Sequence, residues 1–257
     1  MIRSSIRGSH PVIQAILTTA ERIAGIDVSV QIVGEKGTGK ELLARHIHKV
    51  SRLANGPFVR VDCEAVRLFE QGNGLDSSLA QDGDGAARLL ALFERAQGGT
   101  LYLDHIDAFE PPCRTSSVLS ALEAGLAAMR LVGARERADA EPGWLAAANI
   151  TVVEIPVPAL RQRRSDIPEL VAHFLELYSA RHGVGPCRID NEALVRLWQY
   201  DWPGNVRELE SVLERVVVLS RSGLIRAADL PAHIRSSVRP SSACAAARSG
   251  NGASTAR

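Results

Sequence analysis

Seven consecutive residues, Gly34-Glu35-Lys36-Gly37-Thr38-Gly39-Lys40, fit the spacing G-x-x-x-x-G-K. Glycines at these positions let the backbone curl until successive N–H groups face one anion, and the lysine places an ammonium between the outer phosphates. The chemistry is capture of a nucleotide's phosphates. Glu41 follows the lysine, where such a loop usually offers a Ser or Thr hydroxyl to Mg²⁺. A second acid, Asp104, ends the apolar run Leu101-Tyr102-Leu103. A carboxylate at such a strand end holds the Mg²⁺ of a loaded phosphate loop, directly or through water. His105 comes next, and imidazole can act as a base near neutral pH, although a histidine at a strand end is more often structural or on the surface.

These residues need a scaffold of alternating strands and helices. A short apolar run, Val28 to Val33, precedes the loop, and Leu42, Leu43, Ile47 and Val50 follow it at helical spacing. Phe58–Asp62, Thr100–Asp104, Arg130–Gly133 and Thr151–Ile155 read as further strands. Ahead of them, Val12, Ile13, Ile16, Leu17, Ala20 and Ile23 make an amphipathic helix from Ser9 to Ala24, with Ser9 as its cap. The pattern predicts an α/β nucleotide-binding core over residues 1–158, a parallel sheet sandwiched by helices.

After Pro156 and Pro158 the strand pattern stops, and residues 159–235 read as a small all-helical domain. Its first helix is expected to start at Asp166 with Glu169 three residues on, and to stop at His182-Gly183. A second covers Asn191 to Tyr200. The third starts behind Trp202-Pro203-Gly204, with Asn205 as cap and Glu208 at the third helical position. Residues 236–257, built of Ser, Ala, Arg and Gly, read as a disordered tail.

Composition excludes several classes. The 257 residues are 46% apolar, too many for a wholly disordered chain, and 30 basic against 29 acidic side chains give no global attraction to nucleic acid or membrane. Cys63, Cys113, Cys187 and Cys244 form no C-x-x-C pair, which argues against a zinc knuckle or a dense disulfide framework and suits a reducing cytosol. The N-terminal stretch has no apolar signal region, and no apolar run approaches the roughly 18 residues of a membrane span. A cytoplasmic protein without a membrane segment is expected.

Five longer motifs carry a family resemblance. Gly34–Leu42 is similar to GESGTGKEL, Gly56–Cys63 to GPFVAVNC, and Gly98–Asp104 to GGTLFLD. Leu160–Pro168 resembles LRERxxDIP, and Trp202–Leu209 reproduces WPGNVREL. In this order, from about Ile6 to Ile234, the chain resembles the central AAA+ domain of bacterial sigma-54-dependent transcriptional activators, the enhancer-binding proteins. The resemblance implies a P-loop AAA+ core with a helical lid and ATP with Mg²⁺ as ligands. It implies binding by Gly34 through Glu41 and a γ-phosphate-sensing lid arginine at Arg207. It also implies a ring in which nucleotide lies between subunits, formed with itself or with a paralogous AAA+ activator, and contact with sigma-54 RNA polymerase.

The departures from that pattern fall on working parts. His105 stands where an AAA+ ATPase has the glutamate that takes a proton from the attacking water. The sigma-contacting GAFTGA loop is replaced by the acidic, aromatic-free stretch Gln71–Gly85, and the ATN segment by Ala134-Arg135-Glu136. The two arginines of FREDLYYRL fall on Gly143 and Asn149. No DNA-reading module is expected in this chain. The reading is an ATP-binding, hydrolysis-poor transcription regulator acting through protein association. The alternatives are a working activator ATPase, with His105 as base and Arg135 or Arg137 as interface arginine, and a decayed or purely scaffolding domain.

Overall fold

The computed structural model describes residues 6–65, 91–108, 128–136, 152–220 and 223–236. The Gln71–Gly85 loop, Arg137, Gly143, Asn149 and the tail beyond residue 236 lie outside the described residues.

Among the described residues five parallel strands form the central sheet: β1 (Ser29–Val33), β2 (Phe58–Asp62), β3 (Thr100–Asp104), β4 (Arg130–Arg135) and β5 (Val152–Pro156), in the order β2-β3-β4-β1-β5. Strands buried on both faces read as continuous apolar runs, and β3 and β4 are buried along their whole length. One face is covered by α1 (Pro11–Ala24) and α2 (Lys40–Val50). There Ile13, Ile16, Ala20 and Ile23 pack with Leu43, Ala44 and Ile47 against Val30, Ile32, Val132 and Ile155. Strands β2 to β4 lie on one side of β1 and β5 on the other, so the chain changes direction around β1. In open α/β sheets ligands bind at such a reversal, beyond the carboxyl ends of the strands. The loop after Val33, together with Asp62, Asp104 and Arg135, sits along that edge.

Strand positions follow the sequence pattern closely, β2 and β3 to the residue, whereas β4 runs on through Ala134 and Arg135. The cap of α1 is His10 instead of Ser9: its Nδ1 accepts from Val12 N at 3.2 Å, and Pro11 takes the first helical position, where a missing N–H costs nothing.

The lid contains α3 (Ile167–His182), α4 (Asn191–Gln199), α5 (Asn205–Leu219) and the short α6 (Ala232–Ser236), around a core centred on Trp202, Leu209 and Leu213. A two-residue parallel pairing, β6 (Arg188–Ile189) with β7 (Leu224–Ile225), is added to the helices. Asp166 precedes α3 as expected, yet its side chain makes no capping bond. Its Oδ1 accepts instead from His10 N at 2.8 Å, tying the first core helix to the lid. Gly183, at φ 63°, ends α3 in the left-handed conformation. Among the described residues no helix is long and apolar enough to cross a membrane.

Candidate functional site

The phosphate loop has the backbone its sequence demands. Gly37 and Gly39 adopt φ of 79° and 102°, which side chains rarely tolerate. Helix α2 starts at Lys40 with no side-chain cap on Gly39, and the first N–H groups of a helix have no helical carbonyl to bond. They can take an anion. Lys40 is 7% exposed, and its Nζ donates to Gly34 O at 2.6 Å and Glu35 O at 3.1 Å. Burial lowers its pKa from the ordinary lysine value, against the opposing pull of Glu136, Asp104 and Asp107.

The lid grips this loop at every turn. Glu35 accepts both arms of the Arg161 guanidinium, one of them at 2.8 Å, and a bond from Asn205 Nδ2 at 3.1 Å. The Arg161 bonds hold the Glu35 pKa at about 2, despite the opposing effect of burial, with Asn205 adding to the depression. Arg163 donates to Thr38 O at 2.9 Å, and Arg207 N reaches Gly37 O at 3.3 Å. A Cβ on Gly37 would sit 2.2 Å from Gly204 O, so only glycine permits this approach.

Asn205 differs from its expected capping role. Fully buried at φ 54°, it accepts from Leu160 N at 2.8 Å and donates to Lys36 O at 2.9 Å. Asparagine tolerates that left-handed backbone better than most residues. Gly204 takes the cap position, and Glu208 Oε2 accepts from Gly204 N at 2.8 Å.

At the acidic edge, Asp104 is 8% exposed and engaged through both oxygens. Arg60 Nη2 donates to Oδ2 at 2.7 Å, and the Tyr102 hydroxyl to Oδ1 at 3.1 Å. Burial would raise its pKa, but the Arg60 bond leads the effects that outweigh burial and hold the carboxyl below its ordinary value. Glu41 accepts from Arg45 through Oε1, and its Oε2 lies 3.6 Å from Arg60 Nε.

These donors do not fit the Mg²⁺ expected at Asp104. A divalent cation sharing that carboxylate would meet the guanidinium charge, and like unit charges about 4 Å apart repel by about 4 kcal/mol at an effective dielectric near 20, a double charge by twice that. Among the described residues no group of three or more His, Cys, Asp or Glu side chains is placed to hold a metal ion.

His105 has φ 53°, a costly backbone for a non-glycine residue. Its Nδ1 lies 3.2 Å from Asp62 Oδ1 and its Nε2 4.0 Å from Glu136 Oε1. Arg135, considered as an interface arginine, is 6% exposed and donates to Glu154 within the same chain at 2.7 Å.

A cleft of about 400 Å³ joins these parts. Lys36 through Glu41, Arg60, Asp104, His105, Arg163 and Arg207 line its polar end. The rest of the lining mixes apolar Ile13, Ile16, Leu17, Leu170 and Phe174 with Arg7, His173 and Glu210. The size and mixed lining suit a ligand with a flat, partly apolar body and an anionic tail. All the loop residues named from sequence except Gly34 and Glu35 line the cleft directly, as do Asp104, His105 and Arg207. Sequence reasoning missed Arg60, Asp62, Glu136, Arg161 and Arg163. A signal for the first two was present, since GPFVAVNC has alanine and asparagine where this chain has Arg60 and Asp62.

Known proteins resemble this chain. A family model described as the sigma-54 interaction domain matches residues 6–155, and one described as the AAA+ ATPase lid domain matches residues 161–246. The sigma-54-dependent transcriptional activator SfnR of Pseudomonas putida is 36% identical over 243 residues, covering 84% of this chain and 64% of that protein. The DNA-binding transcriptional regulator NtrC of a Bradyrhizobium species is 35% identical over 244 residues, covering 86% and 49%. The chain thus spans less than two thirds of the length of these relatives.

Crystal structures of NtrX from Brucella abortus in complex with ADP and with ATP superpose with TM-scores of 0.70 at 26% identity, over 90% of this chain and 56–57% of theirs. The fold is the P-loop AAA+ fold with its helical lid. With the interaction-domain match extending over more than half of its length, the chain belongs to the sigma-54 interaction domain family.

Proposed function

We propose that this protein is a cytoplasmic, ATP-binding AAA+ regulator of the sigma-54 activator type that hydrolyses ATP slowly and acts by associating with other AAA+ subunits, its own copies or a paralogue. The observation that carries the reading is the contrast within one cleft. The phosphate loop and the buried Lys40 keep what binding needs, while the Asp104–His105 edge is rebuilt around Arg60 and Asp62. The ATP and ADP complexes of NtrX support nucleotide as the ligand. An arginine finger contributes roughly 10³ to 10⁵ in rate and a general base about 10² to 10⁴, so a chain with neither at the aligned positions retains little turnover. A finger acts in trans, so this subunit can receive one from an intact neighbour while returning none.

The test is calorimetric titration of the purified chain with ATP, followed by phosphate release. Tight uptake that Lys40→Ala weakens by about tenfold or more, with turnover near background, is the expected result. Robust turnover by the isolated chain would sink the slow-hydrolysis reading.

A second reading, a working ATPase with His105 as base, is favoured by one contact. Asp62, 3.2 Å from His105 Nδ1, can orient the ring and leave Nε2 as the proton acceptor. Here phosphate release would be substantial and would collapse in His105→Asn, and sigma-54 polymerase would melt its promoter in the protein's presence.

A further inference from the structure

Arg60 reaches across the sheet to both acids that flank the phosphate loop. It stands opposite Tyr102 in the β2–β3 register, so its side chain shares a face with Asp104 two residues further along. Its Nη2 donates to Asp104 at 2.7 Å, and its Nε lies 3.6 Å from Glu41, the first residue after Lys40. These are the two positions from which a phosphate loop and its partner strand ordinarily address a metal ion. A single guanidinium now serves both. Tyr102 occupies the other Asp104 oxygen, and Arg45 the other oxygen of Glu41.

The arginine is not spent on these contacts. Its side chain is 41% exposed, and it lines the cleft alongside Lys40. A guanidinium offers five N–H donors in a planar fork, and the contacts to Asp104 and Glu41 involve Nη2 and Nε, which leaves Nη1 to reach an anionic oxygen in the cleft. Arginine forks match phosphate geometry, and their charge persists at any physiological pH. A triphosphate entering here meets a fixed cation in front of Asp104 beside the loop's own lysine.

We propose that Arg60 is a built-in counter-cation of this nucleotide site, standing where a divalent metal would otherwise link Asp104 to the phosphates, so that ATP is bound without Mg²⁺. The proposal rests on the nucleotide-binding reading above and deepens it. A guanidinium neutralises phosphate charge but carries no coordinated water, which accords with binding uncoupled from rapid hydrolysis.

The experiment is titration of the full chain with ATP in excess Mg²⁺ and, separately, in excess EDTA, for wild type and Arg60→Ala. Wild type is expected to bind with affinities agreeing within about threefold in the two conditions, and Arg60→Ala to bind at least about tenfold more weakly in EDTA than in Mg²⁺. Wild-type affinity falling about tenfold or more in EDTA overturns the proposal without touching the nucleotide-binding reading. So does an Arg60→Ala protein as indifferent to Mg²⁺ as wild type. Absence of ATP uptake by wild type in both conditions removes the nucleotide-binding reading itself, and the proposal with it. The wild-type comparison decides the matter even if the variant folds poorly.

Discussion

Glu35 sits in the phosphate loop, yet its carboxylate faces the lid, where the Arg161 fork and Asn205 converge on it. The Arg161 bonds hold its pKa at about 2, against an ordinary value of 4.5. A carboxyl with a depressed folded pKa binds more protons when the chain is unfolded, so its stabilising contribution is present above about pH 4.5 and drains away as pH falls toward 2. The side chain is 42% exposed, and solvent screening limits the pair to about 1 kcal/mol. Glu35→Gln is therefore expected to be slightly less stable than wild type at pH 7 and to converge with it as the pH approaches 2, measured by urea denaturation across that range. A difference that stays constant with pH would mean that the residue contributes through packing or amide geometry instead of charge.

At the scale of elements, the joint between the loop and the N-terminus of α5 can be separated from the strain of the loop itself. Gly37 and Gly39 both have positive φ, but a Cβ on Gly37 meets Gly204 O at 2.2 Å, whereas a Cβ on Gly39 meets nothing within 4 Å. Each alanine substitution carries a backbone penalty of about 1–3 kcal/mol, and Gly37→Ala adds a collision with the lid. Thermal denaturation of the nucleotide-free variants should place Gly37→Ala clearly below Gly39→Ala. Equal losses would show that the loop and α5 are not in rigid contact.

The same joint explains what sequence could reveal. Strand β3 was legible to the residue because burial along its whole length leaves an apolar run ended by Asp104, and β2 because Phe58, Val59 and Val61 are β-formers set between Pro57 and Asp62. Asp166 and Asn205 were legible as helix-start residues but not as joints. Capping patterns are local, whereas the partners of these two side chains, His10 N and Lys36 O, are 156 and 169 residues away. Arg60 was hidden by alternation. A charged residue between Val59 and Val61 in an edge strand reads as solvent-facing, and only the β2–β3 register reveals that it faces Asp104.

For the whole molecule, core and lid each contribute half a binding surface. The loop, α2 and α1 supply one wall of the cleft, while Arg163, Phe174 and Arg207 supply the other. A ligand that needs both walls binds only the docked arrangement, and its apparent affinity falls in proportion to the docked fraction. Asn205 lies outside the cleft but bonds Leu160 N, Lys36 O and Glu35 at once. Truncating it leaves Leu160 N–H buried and unpaired, at a cost of about 1–3 kcal/mol, and removes two of the bonds that hold the lid down.

Wild type should melt in one transition. ATP at about 100 times its dissociation constant adds about 2.7 kcal/mol, which raises the midpoint by roughly 5–10 °C for a chain of this size. Asn205→Ala is expected to bind ATP about tenfold more weakly without losing any group that touches the nucleotide, and to show a correspondingly smaller thermal shift. Calorimetry and thermal denaturation on the same samples check both effects. If the variant is destabilised while its ATP affinity is unchanged, the lid is not part of the binding surface, and Arg207 cannot be reading the nucleotide from where it stands.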